Sequence, residues 1–216
     1  MRAVALRDTI YLDTTLVKVD QSASLSAHDL HVSNAIPLNA AIDAHQLGVV
    51  MVLYGEVYVN ITNFSVQNIS TSSKNGAAVT YWGAINGQGT MNITVGSVRN
   101  VVSSGGSSVF FGTHNAKMFM TNFSCSALSG GGCVYLEVGS VGILTNFHIA
   151  NSHASLGIGI FTEFALVKWL GGSCRNLIAD TWGCCGKAMF NITRRTDCAL
   201  SLASYDQRRV DTLDEL

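Results

Sequence analysis

An asparagine recurs at one position of an internal repeat, and this repeat constrains the fold more than any other feature of the chain. Six segments of seven residues align without gaps, at 28–34, 62–68, 94–100, 121–127, 145–151 and 170–176. Their last position is occupied, in chain order, by Asn34, Asn68, Asn100, Ala127, Asn151 and Asn176. Neighbouring members lie 24 to 34 residues apart. A period of this length is typical of stacked-repeat proteins, in which each repeat buries its apolar face against the next.

The residue types within each repeat indicate β-strands rather than helices. Short runs rich in Val, Ile, Phe, Tyr and Thr are separated by Gly and Ser clusters. A second apolar run follows the asparagine after a glycine, as in residues 106–111 and 131–136. Each repeat is therefore predicted to contain a strand, an asparagine-bearing turn, a Gly/Ser loop and a second strand.

Stacking such repeats gives a parallel β-helix, with rungs separated by the inter-strand distance of about 4.8 Å. Equivalent side chains then lie above one another, so that Val, Ile and Phe form apolar columns inside. The asparagines are expected to hydrogen-bond from rung to rung as a ladder, with their side chains pointing inward, where an unpaired amide would be costly. Ala127 interrupts this ladder.

The chain resembles the right-handed parallel β-helices of the pectin-lyase-like type. The segment Phe64-Ser65-Val66-Gln67-Asn68 and the glycine motif Gly131-Gly132-Cys133-Val134 also resemble motifs of polymorphic surface proteins and adhesins. The resemblance implies an all-β solenoid. The length of 216 residues gives about six or seven rungs in a single domain. Within it, residues 1–55 are less regular, 56–200 are regular rungs, and 201–216 are a tail or an inter-subunit segment.

Composition excludes several classes of protein. The net charge is −1 and charged residues make up 12% of the chain, so no basic surface for nucleic acid is expected. A low charge content suits a β-helix, because like charges stacked at rung spacing repel one another. No apolar run reaches the roughly 18 residues that a membrane-spanning helix requires.

Six sequences fit the acceptor pattern for N-linked glycosylation, beginning at Asn60, Asn63, Asn68, Asn92, Asn122 and Asn191. We expect Asn60, Asn63, Asn92, Asn122 and Asn191 to be acceptors. Asn68 is doubtful, because an inward ladder residue cannot carry a glycan. Alternatively, a repeat that places a turn asparagine beside a strand threonine copies this pattern without any glycan. If used, these sites place the protein outside the cell or at its surface, with covalent N-glycans and no other cofactor.

All six cysteines lie in the C-terminal half of the chain: Cys125, Cys133, Cys174, Cys184, Cys185 and Cys198. An even number in a chain with glycosylation patterns favours disulfides, for which 15 connectivities are possible. Cys125 and Cys133 flank one loop, and Cys174 and Cys184 flank the equivalent loop two rungs later. These two closures, with Cys185 paired to Cys198, are the preferred arrangement. The alternative is a set of buried thiols in the apolar columns. No CxxC pair exists, so no metal site is predicted.

Catalytic residues are not predicted. Cleavage of acidic polysaccharides, a common activity of β-helices of this type, requires clustered carboxylates. The regular rungs offer Glu56, Glu137, Glu163, Asp180 and Asp197, which lie in different rungs and are expected to be far apart. His148 and His153 flank one turn, and both are expected to be structural rather than ligands.

The sequence favours an extracellular structural glycoprotein, a β-helical unit of a surface fibre that assembles head-to-tail with copies of itself. No amphipathic helix is predicted to cap either end of the solenoid, and a head-to-tail contact that does not close gives an open filament. The alternative is an adhesin-like module that binds glycans or a surface. Tyr81, Trp82, Trp169 and Trp182 are its candidate sugar-stacking residues. A degenerate polysaccharide lyase or hydrolase is a third possibility.

Overall fold

The computed structural model describes residues 15–34, 50–71, 76–103, 108–154 and 159–178, and by backbone alone residues 4–7, 10–11, 36–37, 179 and 192–193. Sixteen strands are numbered in chain order. Six are long: β4 (Ser24–Ser33), β7 (Tyr58–Thr71), β9 (Thr90–Ser103), β11 (Lys117–Gly130), β13 (Val141–Ala154) and β15 (Leu166–Ala179). Six short strands precede them: β3 (Val17–Val19), β6 (Met51–Gly55), β8 (Val79–Gly83), β10 (Phe110–Thr113), β12 (Val134–Glu137) and β14 (Ile160–Glu163). The others are β1 (Val4–Arg7), β2 (Ile10–Tyr11), β5 (Ile36–Pro37) and β16 (Ile192–Thr193).

Fourteen of the sixteen strands stack into two parallel sheets, which confirms the predicted β-helix, and β2 pairs with β5 separately. The long strands pair in the order β1-β4-β7-β9-β11-β13-β15-β16, and the short strands pair in the order β14-β12-β10-β8-β6-β3. One short strand and the long strand that follows it make one rung, so the described residues contain six rungs. No helix is present among the described residues. Residues Ala40 to Gln46, whose sequence is compatible with one short helical turn, lie outside the described residues.

The core is built from columns of side chains that repeat at the same register on each rung. One column, predicted from the fifth position of the repeat, contains Val32, Val66, Val98, Cys125, Ile149 and Cys174, none more than 2% exposed. A second column contains Leu30, Phe64, Gly96, Phe123, Phe147 and Gly172. Burial of each large apolar side chain contributes roughly 1.5–3 kcal/mol, so these columns are the main source of stability.

Gly96 has a specific packing role in the aromatic column. It lies between Phe64 and Phe123, and a Cβ atom at this position would come within 2.3 Å of the Phe123 ring. The rings of Phe64 and Phe123 approach each other across the glycine, with centroids 6.3 Å apart. Phe123 also stacks on Phe147, with centroids 5.6 Å apart. The glycine therefore provides the space that the larger neighbour fills.

Two corners with left-handed backbone bend the long strands, and they explain why the repeat selects asparagine. The first corner is formed by Asp29, Asn63, Val95, Asn122, Asn146 and Gly171, all with positive φ. The second corner, five residues later, is formed by Asn34, Asn68, Asn100, Ala127, Asn151 and Asn176, with φ between 50° and 55°. Most L-residues are strained in this conformation, whereas glycine, asparagine and aspartate tolerate it.

Candidate functional site: the asparagine columns of the outer surface

The second-corner asparagines form hydrogen-bonded ladders on the outer surface of the solenoid. Asn68 donates through Nδ2 to Asn34 Oδ1 at 2.7 Å, and Asn100 donates to Asn68 at 3.0 Å. Asn176 donates to Asn151 at 2.9 Å. The ladder is therefore present in two parts, separated at Ala127 as predicted.

The expectation that these asparagines point inward is wrong. Asn68 is exposed, as is Gln67 before it, whereas Val66 and Ile69 on either side are buried. A left-handed corner inserts an extra outward residue into the strand alternation, so the amide faces solvent. The pairing of the ladder asparagines therefore does not depend on burial. Burial also gives no reason to exclude Asn68 as a glycan acceptor.

The first corner carries a second ladder. Asn63 donates through Nδ2 to Asp29 Oδ1 at 2.7 Å, and Asn146 donates to Asn122 Oδ1 at 2.8 Å. Val95 separates these two pairs, because its side chain can neither donate nor accept. The signal was present in the second position of the aligned segments, which reads Asp, Asn, Val, Asn, Asn and Gly. All but the valine are residue types that favour a left-handed corner.

A third pair joins two identical glycosylation patterns. Asn60-Ile61-Thr62 on β7 lies in register with Asn92-Ile93-Thr94 on β9. Asn92 donates through Nδ2 to Asn60 Oδ1 at 2.8 Å. In each of the six bonded pairs the later rung donates and the earlier rung accepts, so all the amides are oriented alike along the axis.

The ladders divide the predicted glycan acceptors into two groups. Asn63, Asn68 and Asn92 each donate through Nδ2, the atom that would carry the sugar, to a residue one rung away. Asn60 and Asn122 are exposed, and within the described part of the chain their Nδ2 atoms donate no hydrogen bond. Asn191 lies outside the described residues.

Disulfide bonds lie inside the stack. Cys125 and Cys133 are bonded, with Cα atoms 6.2 Å apart, and are 1% and 0% exposed. This is the predicted closure of the loop between them. Cys174 is also disulfide-bonded, and its partner lies outside the described residues. The alternative of free buried thiols is therefore wrong for these three cysteines. Cys184, Cys185 and Cys198 lie outside the described residues, so their pairings stay predictions.

Two of the carboxylates are closer than the sequence suggests. Glu137 and Glu163 occupy paired positions on β12 and β14. The Tyr135 hydroxyl donates to Glu163 Oε2 at 2.9 Å. Burial, together with hydrogen bonds to Glu137 and Glu163, raises the pKa of Tyr135 well above its ordinary value. Tyr135 therefore remains protonated at neutral pH and acts as a hydrogen-bond donor between two acids, not as a base.

The aromatic candidates for sugar stacking differ in accessibility. Tyr81 is fully buried, and Trp169 is 7% exposed with its Nε1 donating to Gly171 O at 2.9 Å. Neither can present a ring face to a ligand. Trp82 is half-buried and stacks on Tyr54, with centroids 5.0 Å apart. Trp182 lies outside the described residues.

Trp82 and Tyr54 line an open groove of about 290 Å³, together with Gly83, Ile85 and His114. Ile85 stands at its edge with 96% of its surface exposed. Gly83 cannot carry a side chain, because a Cβ atom there would lie 2.5 Å from the backbone of Ala116. The groove combines aromatic and aliphatic walls with one imidazole, a composition suited to a small amphipathic ligand.

Within the described ranges, no group of three or more His, Cys, Asp or Glu side chains is arranged to hold a metal ion. The same residues contain no helix of the length and hydrophobicity needed to cross a membrane. Comparison of the chain with protein-family models, with characterised proteins and with solved structures finds no match.

Proposed function

We propose that the protein is an extracellular structural glycoprotein, a β-helical unit of a surface fibre that assembles head-to-tail with copies of itself. The observation that carries the proposal is the uniform register of the stack. Consecutive long strands pair over nearly their whole length, so the apolar columns and the two corners recur at the same register on each described rung, with the asparagine column broken at Ala127. A surface of this kind can be extended by an identical rung with the same backbone ladder and the same amide orientation.

The disulfides support a location outside the reducing cytosol. Cys125–Cys133 lies within the core, and Cys174 is bonded as well. Disulfides form and persist mainly in oxidising compartments, and they restrict the unfolded chain, which stabilises a protein exposed to proteases.

The exposed amides of Asn60 and Asn122 support the glycoprotein part of the proposal. Both begin an acceptor pattern, and a sugar on either Nδ2 interrupts no hydrogen bond of the described residues. A sugar on Asn63, Asn68 or Asn92 would instead have to fit between rungs that are about 4.8 Å apart. Asn60 and Asn122 are therefore the acceptors we expect to be occupied in the folded protein.

Electron microscopy of the secreted, undenatured protein tests the proposal. We expect unbranched fibres to form as concentration rises, with an axial repeat of at least about 29 Å, the height of six rungs. The same protein after reduction and unfolding is the control, because it retains the sequence and the glycans but loses the stacking surface. Particles that stay dispersed at every concentration would count against a fibre.

A second function, binding of surface glycans, is favoured by the groove beside Trp82. Trp82→Ala would remove one aromatic wall, and Tyr58→Ala is a matched control because Tyr58 is an exposed aromatic residue that does not line the groove. A glycan-binding module would show array signals that Trp82→Ala abolishes and Tyr58→Ala preserves. Equal signals from both variants would exclude the groove as the binding site.

A further inference from the structure

A hydrogen-bonded chain of four polar side chains crosses three rungs on the outer surface. His148 Nδ1 lies 2.9 Å from Ser173 Oγ, and His148 Nε2 lies 2.8 Å from Asn146 Oδ1. Asn146 in turn donates through Nδ2 to Asn122 Oδ1 at 2.8 Å. Ser173 and His148 are paired positions of β15 and β13, so the register of the sheet holds them together.

The donor and acceptor directions of these hydrogen bonds fix the tautomer of the His148 imidazole. Because the Asn146 amide nitrogen donates to Asn122, its oxygen faces His148, and His148 Nε2 must carry the proton. Nδ1 is then an acceptor, and its partner is the Ser173 hydroxyl. A hydroxyl bonded to a base that a third group orients is the general arrangement of an activated nucleophile.

The surroundings of Ser173 leave room for a substrate. A Cβ atom placed on Gly171 would meet nothing within 4 Å, so the surface two residues before Ser173 is open. The Gly171 carbonyl accepts a hydrogen bond from the buried Trp169 ring at 2.9 Å, which holds this glycine turn in place. The nucleophile is therefore presented from an anchored backbone beside an open surface.

Arg175 supplies a positive charge on the same side of the strand. It follows Ser173 by two residues, so its side chain projects in the same direction about 7 Å along β15. Arg175 is exposed, is paired in register with Ala150, and has no ion-pair partner among the described residues. A free guanidinium at this distance suits a carboxylate on the substrate.

We propose that Ser173 is a catalytic nucleophile for ester hydrolysis, with His148 as its general base, Asn146 as a positioning residue and Arg175 binding the carboxylate of an anionic ester. This activity is separate from the fibre function and does not rest on it. Ser173 Oγ forms a bond to the acyl carbon while its proton passes to His148 Nδ1. The ester C–O bond breaks, and that proton leaves with the alcohol. Water then attacks the acyl-serine, Nδ1 takes its proton, and the acid is released as the proton returns to Oγ.

A fluorophosphonate probe and p-nitrophenyl acetate test the nucleophile. We expect the folded, secreted protein to gain one fluorophosphonate adduct at Ser173, located by peptide mass spectrometry. Ser173→Ala and His148→Gln should lower the rate of p-nitrophenyl acetate hydrolysis by about 10²-fold or more. Asn146→Ala should lower it about tenfold and slow the adduct formation in parallel.

The matched control is Ser97→Ala, because Ser97 occupies the same outward column on β9, where its neighbours in register are serines. This variant should keep the full labelling rate. A substrate pair tests Arg175: Arg175→Gln should raise KM for an ester that carries a carboxylate, with little change for the neutral acetate. Circular dichroism of each variant confirms that it is folded. A folded wild-type protein without the adduct, or equal labelling of Ser173→Ala, would overturn the proposal.

Discussion

Completing the outer ladder at Ala127 should stabilise the protein. Ala127 occupies the second corner of β11 with a φ of 53°, directly between the rungs of Asn100 and Asn151. In Ala127→Asn, the new Nδ2 would donate to Asn100 Oδ1, and Asn151 Nδ2 would donate to the new Oδ1. This is the orientation that every other pair in the columns adopts.

The expected gain is about 1–2 kcal/mol in the free energy of unfolding. Asparagine tolerates the left-handed backbone better than alanine, which contributes about 1 kcal/mol. Two exposed amide hydrogen bonds contribute about 0.5 kcal/mol each, at the lower end of the usual range. Ordering the new side chain costs up to about 1 kcal/mol. For a chain of this size, the gain corresponds to a rise in Tm of about 2–8 °C.

Thermal and denaturant unfolding of Ala127→Asn and Ala127→Gly, each compared with its parent protein, separates the contribution of the relieved backbone strain from that of the ladder hydrogen bonds. Ala127→Asn creates a new acceptor pattern with Ser129, so the comparison is made in a Ser129→Ala background. Ala127→Gly is the control, because it relieves the backbone strain without adding an amide. Glycine also loses more conformational entropy on folding than alanine does, which offsets the relieved strain and leaves this variant near the wild-type stability. If Ala127→Asn were no more stable than Ala127→Gly, the ladder hydrogen bonds would contribute nothing, and this reasoning would be refuted.

Three further results are expected. Gly96→Ala should destabilise the protein by about 1–3 kcal/mol in urea unfolding, because the alanine Cβ would lie 2.3 Å from the Phe123 ring. An unchanged urea midpoint would show that the ring has room to move. Burial raises the pKa of Tyr81 to about 12, so the folded state holds this proton more tightly than the unfolded state does. The free energy of unfolding should therefore fall as pH rises from about 10 towards 12. Phenolate absorbance from Tyr81 near pH 10 without unfolding would contradict this. Glycopeptide mass spectrometry of the protein expressed in a secretory host that attaches N-glycans should find sugar on Asn60 and Asn122 and not on Asn63, Asn68 and Asn92, whose Nδ2 atoms donate to another rung. The reverse distribution would show that the ladders do not govern occupancy.

The fold was predictable because each rung repeats the same physical requirements. The aliphatic column that includes Val66 and the asparagine corner that includes Asn68 recur at fixed positions, so the stacking could be inferred without any contact being known. The outward orientation of the Asn68 side chain could not be inferred in this way. Alternation along a strand assigns inner and outer faces correctly until a left-handed residue shifts it, and sequence alone does not reveal where that shift occurs.

The surface networks depend on register between rungs, which sequence spacing obscures. Glu137 and Glu163 are 26 residues apart in the chain, yet they occupy paired positions because the parallel strands of successive rungs stack in register. The link between His148 and Ser173 has the same origin. Both occupy the fourth position of their repeats, but their bonding depends on side-chain orientations that the alignment does not contain.

The most direct test of the proposed structural role is a cryo-electron microscopy reconstruction, at high concentration, of the folded protein expressed in a secretory host that attaches N-glycans. A fibre is expected in which the β-helices of successive copies are coaxial, with a subunit rise of at least about 29 Å and sugar density on the outer surface at Asn60 and Asn122. Monomeric particles with bare asparagines would contradict the proposed role.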